Sequence, residues 1–435
     1  MASTGTAWER IAARGGVTPR RARTYGLVFF GAGLLIYLLF ARVAVAGYTS
    51  TFVLHPGGAT QAIPVPDLVL PTAPALYAMT LICAFLGGWQ LARGFRRVNL
   101  VLGFIAGLFV LAFLTWASQG RSFNLTGMFS SALLRAVPIA LAGLSGVICE
   151  RCAVINIGIE GMMLGGAFSA TLMGSLALNV WKWPSWASMS FGLLAALITG
   201  ALFGLLLAVL AVRFKVNQII AGTAINILSV GVTSFISSRI LSHFQQLNNT
   251  GTLQPVSVPL LSRIPIIGPV LFEQNLLVYL LFILLIVVHV VLFHTRWGLR
   301  TRAVGEHPRA ADTLGVDVFK IRYVNVTIGG MVAALGGAFL ILGSVGRFDE
   351  LMTAGKGFIG LAAMIFGKWM PFGAFGAALI FGFADALQVK LALLQVPIPS
   401  QFLLMAPYLV TIIVLAGVVG EAVPPAADGQ PYEKE

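Results

Sequence analysis
Glu150, Arg151, Asn156 and Glu160 stand in one short stretch of an otherwise apolar sequence, with glycines at 158, 161, 165 and 166 running through and beyond it. A charged side chain at bilayer depth costs about 2.5–3.5 kcal/mol on insertion scales. Non-helical backbone at that depth is tolerated only where protein buries it or where it lines a cavity. These residue types therefore point to non-covalent chemistry: a broken or re-entrant helix whose carboxylate, carboxamide and freed amides border a polar pathway. A cytoplasmic turn at Glu150-Arg151, followed by a helix packed through small residues, accounts for the same letters. Two further polar groups sit in a later apolar run, Gln218 and Asn226. A second glycine-broken opening, Thr353-Ala354-Gly355-Lys356-Gly357-Phe358, precedes another apolar segment. Asp385 is an acid inside an apolar run and needs a partner, from Lys390 or another helix, which favours a structural role.

Chemistry of other kinds has no foothold. Gly367-Lys368 is followed by Trp369, so no Walker A loop is present, and neither HExxH nor GxSxG occurs. His55, His243, His289, His294 and His307 are scattered without ligand spacing. Cys149 and Cys152 form a lone CxxC with no second pair and no nearby His, and with Cys83 they read as reduced packing residues. There is no arginine ladder and no TVGYG filter. The chain is expected to be no enzyme and to bind no metal or cofactor.

The elements that must position these residues are membrane helices. The chain has 435 residues, 58% hydrophobic and 10% charged, with apolar runs along almost its whole length. That composition excludes disorder and disfavours a soluble multidomain protein. The net charge of +13 is explained by basic cytoplasmic loops rather than by nucleic acid. Crossings are expected at 26–46, 75–92, 98–117, 124–148, 154–178, 187–212, 216–239, 275–293, 323–345, 351–366, 371–390 and 401–420. This is an all-α, polytopic helical bundle of about 12 spans with both termini inside. Pro-rich segments 47–74 and 240–274 fall outside, and most Lys and Arg fall inside. The run Ala44-Val45-Ala46 mimics a signal-peptidase site, but its length and the many following spans argue against cleavage. Re-entrant passages at 125–178 or 351–390 would leave the orientation of the rest unchanged. The two glycine-broken openings are what an internal transporter repeat looks like, with a site between the halves.

The most patterned loop is 294–322. Gly305 breaks the chain there, Pro308 suits the first turn of a helix, Ala310–Leu314 can form a short helix and Gly315 can end it. A short helix ringed by charges can dock a soluble partner. A basic loop that only fixes topology would carry similar residues.

Residues 150–168, the block Gly355–Pro371, the segment Phe381–Gln388 and the loop Arg302-Ala-Val-Gly-Glu-His-Pro308 with Ala310, Ala311 and Gly315 together resemble the inner-membrane permeases of nucleoside-type ABC importers. These belong to the broader branched-chain amino acid and simple-sugar permease family. The resemblance covers roughly 124–420. It implies a permease core at 124–421 containing a coupling loop at 294–322. Outside it lie a basic tail at 1–25, extra N-terminal spans at 26–123 and a tail at 422–435. It also implies a multi-pass protein of the bacterial inner membrane, surrounded by lipid. A separate ATPase would use the ATP, a second related permease would complete a heterodimer, and an extracytoplasmic binding lipoprotein would deliver the solute. Candidate pathway residues are Asn156, Gly158, Glu160, Gly161, Gln218, Asn226, Lys356 and Phe358. Glu160 either lines the pathway or pairs with Arg151 or Lys356 to hold the broken helix. Phe358 and Trp369 either stack on a base or only pack. Candidate coupling residues are Arg302, Gly305, Glu306, Ala310 and Gly315. Competing readings are a simple-sugar permease of the same machine, an ion-driven secondary transporter using Glu160 or Asp385, and a scaffolding subunit.

Overall fold
The computed structural model describes residues 19–55, 65–394, 402, 405 and 422–434, so the expected crossing at 401–420 and the tail at 1–18 lie outside the described residues. The chain divides into two compact units at Gly127/Met128, with residues 391–394 grouped with the first.

The first unit contains helices α1 (Pro19–Ile36), α2 (Thr72–Ala92) and α3 (Val98–Ala117). Each carries an apolar stretch long enough to cross a bilayer. They bury Phe29, Ile36, Phe40, Leu76, Cys83, Ile105 and Ala112 against one another. Helices α1 and α2 meet at Gly87, where a Cβ would stand 2.8 Å from the backbone nitrogen of Phe30. Segment 47–74, expected as a bare loop, carries strands. β1 (Thr49–Val53) pairs antiparallel with β2 (Leu68–Pro71) and parallel with β3 (Ser122–Asn124), in the register Ser50↔Leu70 and Phe52↔Phe123. The buried Ser50 hydroxyl donates to the Thr115 carbonyl at 2.6 Å and lies 2.8 Å from the Thr72 hydroxyl.

The second unit begins within α4 (Leu125–Glu150) and continues through α5 (Ile159–Ser175), α6 (Ser185–Ala208) and α7 (Gln218–Ile236). A two-stranded pair, β4 (Val256–Ser257) and β5 (Glu273–Gln274), flanks the short α8 (Ile267–Leu271). Then come α9 (Leu276–His294), α10 (Arg296–Glu306), α11 (Pro308–Thr313), α12 (Val318–Leu340), α13 (Lys356–Phe366) and α14 (Pro371–Leu393). Helices α5, α6, α7 and α12 each continue into a five-residue π turn. The spans of α4, α5 and α12 are 89%, 72% and 72% buried, against 28% for α6 and α7. The first three therefore form the centre and the others present apolar faces outward. Close approach at the centre depends on glycine: a Cβ on Gly166 would stand 2.6 Å from the Ala334 carbonyl, which is how small residues bring membrane helices together.

Ten helices among the described residues are long and apolar enough to cross a bilayer. In the region left open around 125–178, two helices, Leu125–Glu150 and Ile159–Val180, are each long and apolar enough to cross. The expectation of a crossing at 351–366 is corrected. Helix α13 has 11 residues, about 16 Å of rise against roughly 30 Å of hydrocarbon. The chain reaches it through non-helical backbone with positive φ at Gly346, Leu351, Ala354 and Gly355.

Candidate functional site
The two glycine-broken openings meet. Gly158 and Gly355 occupy the positions just before α5 and α13. The Glu160 carboxylate, in the first turn of α5, accepts from the Gly355 N–H at 2.8 Å and from the Gly357 N–H at 2.6 Å. These are donors that a helix start leaves unsatisfied, and a negative charge there also suits the helix dipole. Gly357 is required by this contact, because a Cβ would lie 2.7 Å from the Glu160 Cα. Glu160, expected either to line the pathway or to pair with Arg151 or Lys356, has both carboxylate oxygens on backbone amides of the second opening.

The far end of α13 is held by the same stretch. The turn after it has positive φ at Lys368 and Trp369. Trp369 Nε1 donates to Glu150 at 2.6 Å, and Arg151 Nε donates to the Trp369 carbonyl at 3.0 Å. Residues 150–160 therefore clasp α13 at both ends.

The amides expected in the pathway act mostly as ties. Gln218 is buried and accepts from the Ile155 N–H at 2.7 Å. Asn226 accepts from the Gly161 N–H at 2.7 Å and donates to the Ile157 carbonyl at 2.9 Å. Together they fasten α7 to the non-helical loop 151–158. Asn156 is wholly buried, its Nδ2 near the Cys149 and Met162 sulfurs at 3.5 and 3.6 Å. Its Oδ1 has no hydrogen-bond partner. Cys152 donates to the Cys149 carbonyl at 3.0 Å, and burial pushes its thiol up to about 12. Both cysteines are free, so the CxxC is a packed pair of thiols.

Glu160, Gly161, Asn226 and Gly355 border a small pocket of about 140 Å³. A larger polar cavity of about 390 Å³ opens beside it, lined by Ser131, Arg135, Ser344, Asp349, Lys356 and Asp385 among others. Of the expected pathway residues only Lys356 reaches this cavity. Phe358 is half exposed on α13. Across the cavity wall Arg135 Nη1 donates to Asp385 Oδ2 at 2.8 Å, joining α4 to α14. Asp385 was expected to pair with Lys390 or another helix, and the helix is α4. The signal was present as two opposite charges, each inside its own apolar run, a pattern that defaults to a functional pair.

The patterned loop forms two helices at a sharp bend. Pro308 is the first residue of α11, His307 precedes it, and Gly315 follows with φ +81°. Gly305 does not break the chain as expected. It lies inside α10, buried, where a Cβ would collide with the Arg151 carbonyl. Arg302 turns inward too, its guanidinium 5.1 Å from the Phe293 ring centroid. Arg309, Ala310, Thr313 and Leu314 are exposed, Leu314 to 85%. Glu306 is exposed but accepts from the Ala426 N–H at 3.2 Å.

The arrangement ties the two glycine-broken openings to each other through Glu160, and comparison with known proteins gives the family to which such an arrangement belongs. The model of the branched-chain amino acid transport system permease component matches residues 128–416. The chain is 41% identical to the guanosine ABC transporter permease NupQ of Bacillus subtilis, over 70% of this chain and 95% of that one. It is 40% identical to the nucleoside ABC transporter permease NupC of Lactococcus lactis, over 70% of this chain and 96% of the relative. A putative glucose ABC transporter permease of Haloferax volcanii, TsgC13, is 34% identical over 61% of this chain and 77% of its own length.

Proposed function
Because this chain belongs to the branched-chain amino acid transport system permease family, we propose that it is the membrane permease of an ABC importer for nucleosides. The observation that carries the reading is the likeness to two permeases whose names specify guanosine and nucleosides, across nearly their full lengths. The 390 Å³ cavity supports it. A nucleoside presents a donor–acceptor edge on its base and hydroxyls on its sugar. The Arg135 fork, the Asp385 and Asp349 carboxylates and the Ser131 and Ser344 hydroxyls supply both kinds of partner.

In this reading residues 124–421 conduct and residues 26–123 are an added module. A separate ATPase docks on the exposed face of α11 and burns the ATP. A second related permease completes the path, and an extracytoplasmic binding lipoprotein delivers the solute. The protein resides in the bacterial plasma membrane with both termini cytoplasmic. The packing of segment 422–434 against α10 and α11 supports one cytoplasmic side for the loop and that tail. The reading is tested by reconstituting the complex in liposomes and measuring radiolabelled guanosine uptake with and without the ATPase. Uptake that needs the ATPase and is competed by nucleosides is expected. Uptake by this chain alone, or competition by glucose and ribose but not by nucleosides, overturns it.

A further inference from the structure
Segment 422–434 has a composition that resists helix and sheet: Pro424, Pro425 and Pro431 lack an N–H, and Gly429 adopts φ +74°. It folds instead into consecutive turns closed by Asp428 N–H to the Pro425 carbonyl at 3.0 Å and Gln430 N–H to the Ala427 carbonyl at 3.1 Å. Several of its other hydrogen-bonding groups go outward to different elements. The Ala427 N–H donates to the Gly305 carbonyl of α10 at 3.0 Å. Tyr432 donates its hydroxyl to Asp312 of α11 at 2.8 Å, and Lys434 reaches the other oxygen of Asp312 at 3.4 Å. The Tyr432 ring packs on Phe319 of α12 with centroids 5.5 Å apart. Arg322 of α12, itself 1% exposed, donates to the Gln430 carbonyl at 3.1 Å. Gly429 lies so close to loop 151–158 that a Cβ there would stand 2.8 Å from Ile155 Cδ1. Pro425, Ala427 and Tyr432 are buried beneath these contacts.

We infer that residues 422–434 are a coupling strap, which ties the docking helix α11 to the loop that precedes Glu160 so that the two move as one piece. The inference rests on the permease reading above and deepens it. An ATPase pushing on α11 moves Asp312. Asp312 carries Tyr432 and Lys434, and the strap carries Gly429 against Ile155. Loop 151–158 leads directly into Glu160, whose carboxylate holds the start of α13, and α13 brings Lys356 to the cavity wall. Gly305 already touches Arg151 directly, so the strap is a second, parallel link from the cytoplasmic helices to the same loop. It is also the link made by α11 itself, where α10 makes the first.

The test uses the complete transporter in liposomes. Three variants alter the strap: deletion of 426–435, Tyr432→Ala, and Gly429→Val, which loads both the positive φ and the Ile155 contact. Three quantities are read: the ATPase that co-purifies with the permease, ATP hydrolysed, and radiolabelled guanosine taken up per ATP. The expected result is co-purification within about twofold of the unaltered protein and uptake per ATP at least about tenfold lower for the deletion. Tyr432→Phe, which keeps the ring on Phe319, is expected to fall between. Unchanged uptake per ATP in the deletion overturns the strap. Loss of the ATPase from all three variants also overturns it, because the segment is then a docking surface or a folding element. A failure of the permease reading looks different: the unaltered complex then shows no ATPase-dependent uptake at all.

Discussion
The Glu160 carboxylate receives the Gly357 N–H at 2.6 Å, so an acid from the first glycine-broken opening closes the helix begun by the second. The contact crosses nearly two hundred residues of sequence and joins two helix starts. It makes the position of α13 depend on the state of loop 151–158.

Replacing Glu160 with Gln removes the charge and leaves a single carbonyl oxygen for two N–H donors. A hydrogen bond to a charged group contributes about 1.5–3 kcal/mol, so a loss of that order is expected for Glu160→Gln and a larger one for Glu160→Ala. Thermal unfolding in detergent reads the stability, and guanosine uptake should fall about tenfold. Unchanged melting and uptake in Glu160→Ala would remove the carboxylate from the mechanism.

The Arg135–Asp385 pair is about one-third exposed on each side, between the surface and buried limits. Either single neutralisation, Arg135→Gln or Asp385→Asn, leaves one charge unpartnered in the cavity wall. The double variant should be more stable than the worse single, with a coupling energy of about 0.5–3 kcal/mol, yet still transport poorly. A double variant with full uptake would make the pair structural only.

Leu314 is 85% exposed at the end of α11. On a helix expected to dock a partner, burying that side chain would contribute about 1.5–3 kcal/mol. Leu314→Asp should weaken co-purification of the ATPase at least about tenfold, while Arg302→Lys, which faces inward, should change it by less than twofold. Equal effects of the two would misplace the docking face.

Burial raises the Asp428 carboxyl from its ordinary 3.8 to about 6, against the pull of its bonds to Glu150 and the Gly429 amide and of the Arg322 charge. The seated strap therefore binds this proton more tightly than a free tail does. Through this group seating is strongest below about pH 4 and weakens as pH rises from about 4 to about 6. Amide exchange of residues 426–430, corrected for its intrinsic pH dependence, should show more protection at pH 5 than at pH 7.5. The opposite order would contradict the seating of Asp428.

Residue types revealed the ten long apolar helices among the described residues, the two broken openings and the bend at Pro308, because each rests on local chemistry: length of apolar run, glycine, proline. They did not reveal what the polar groups hold. Gln218 and Asn226 are candidates for lining with interhelical ties as the alternative, and both make such ties, since a loop without its own helical hydrogen bonds must borrow partners from a neighbour. The failure at Gly305 has the same root: a glycine that permits close approach and one that breaks a helix are one letter. Arg135 and Asp385 were each visible as an anomaly, but their pairing across 250 positions belongs to tertiary structure. Residues 422–434 read as an unremarkable polar tail because turns built on proline carry no periodicity.

The first unit draws its core from its own three helices, and that has a meaning for biogenesis. Translation delivers the amino-terminal portion first, at about 5–20 residues per second. Side chains such as Phe29, Leu76 and Ile105 are therefore all made before the second unit is complete, and the order of synthesis allows this core to close first.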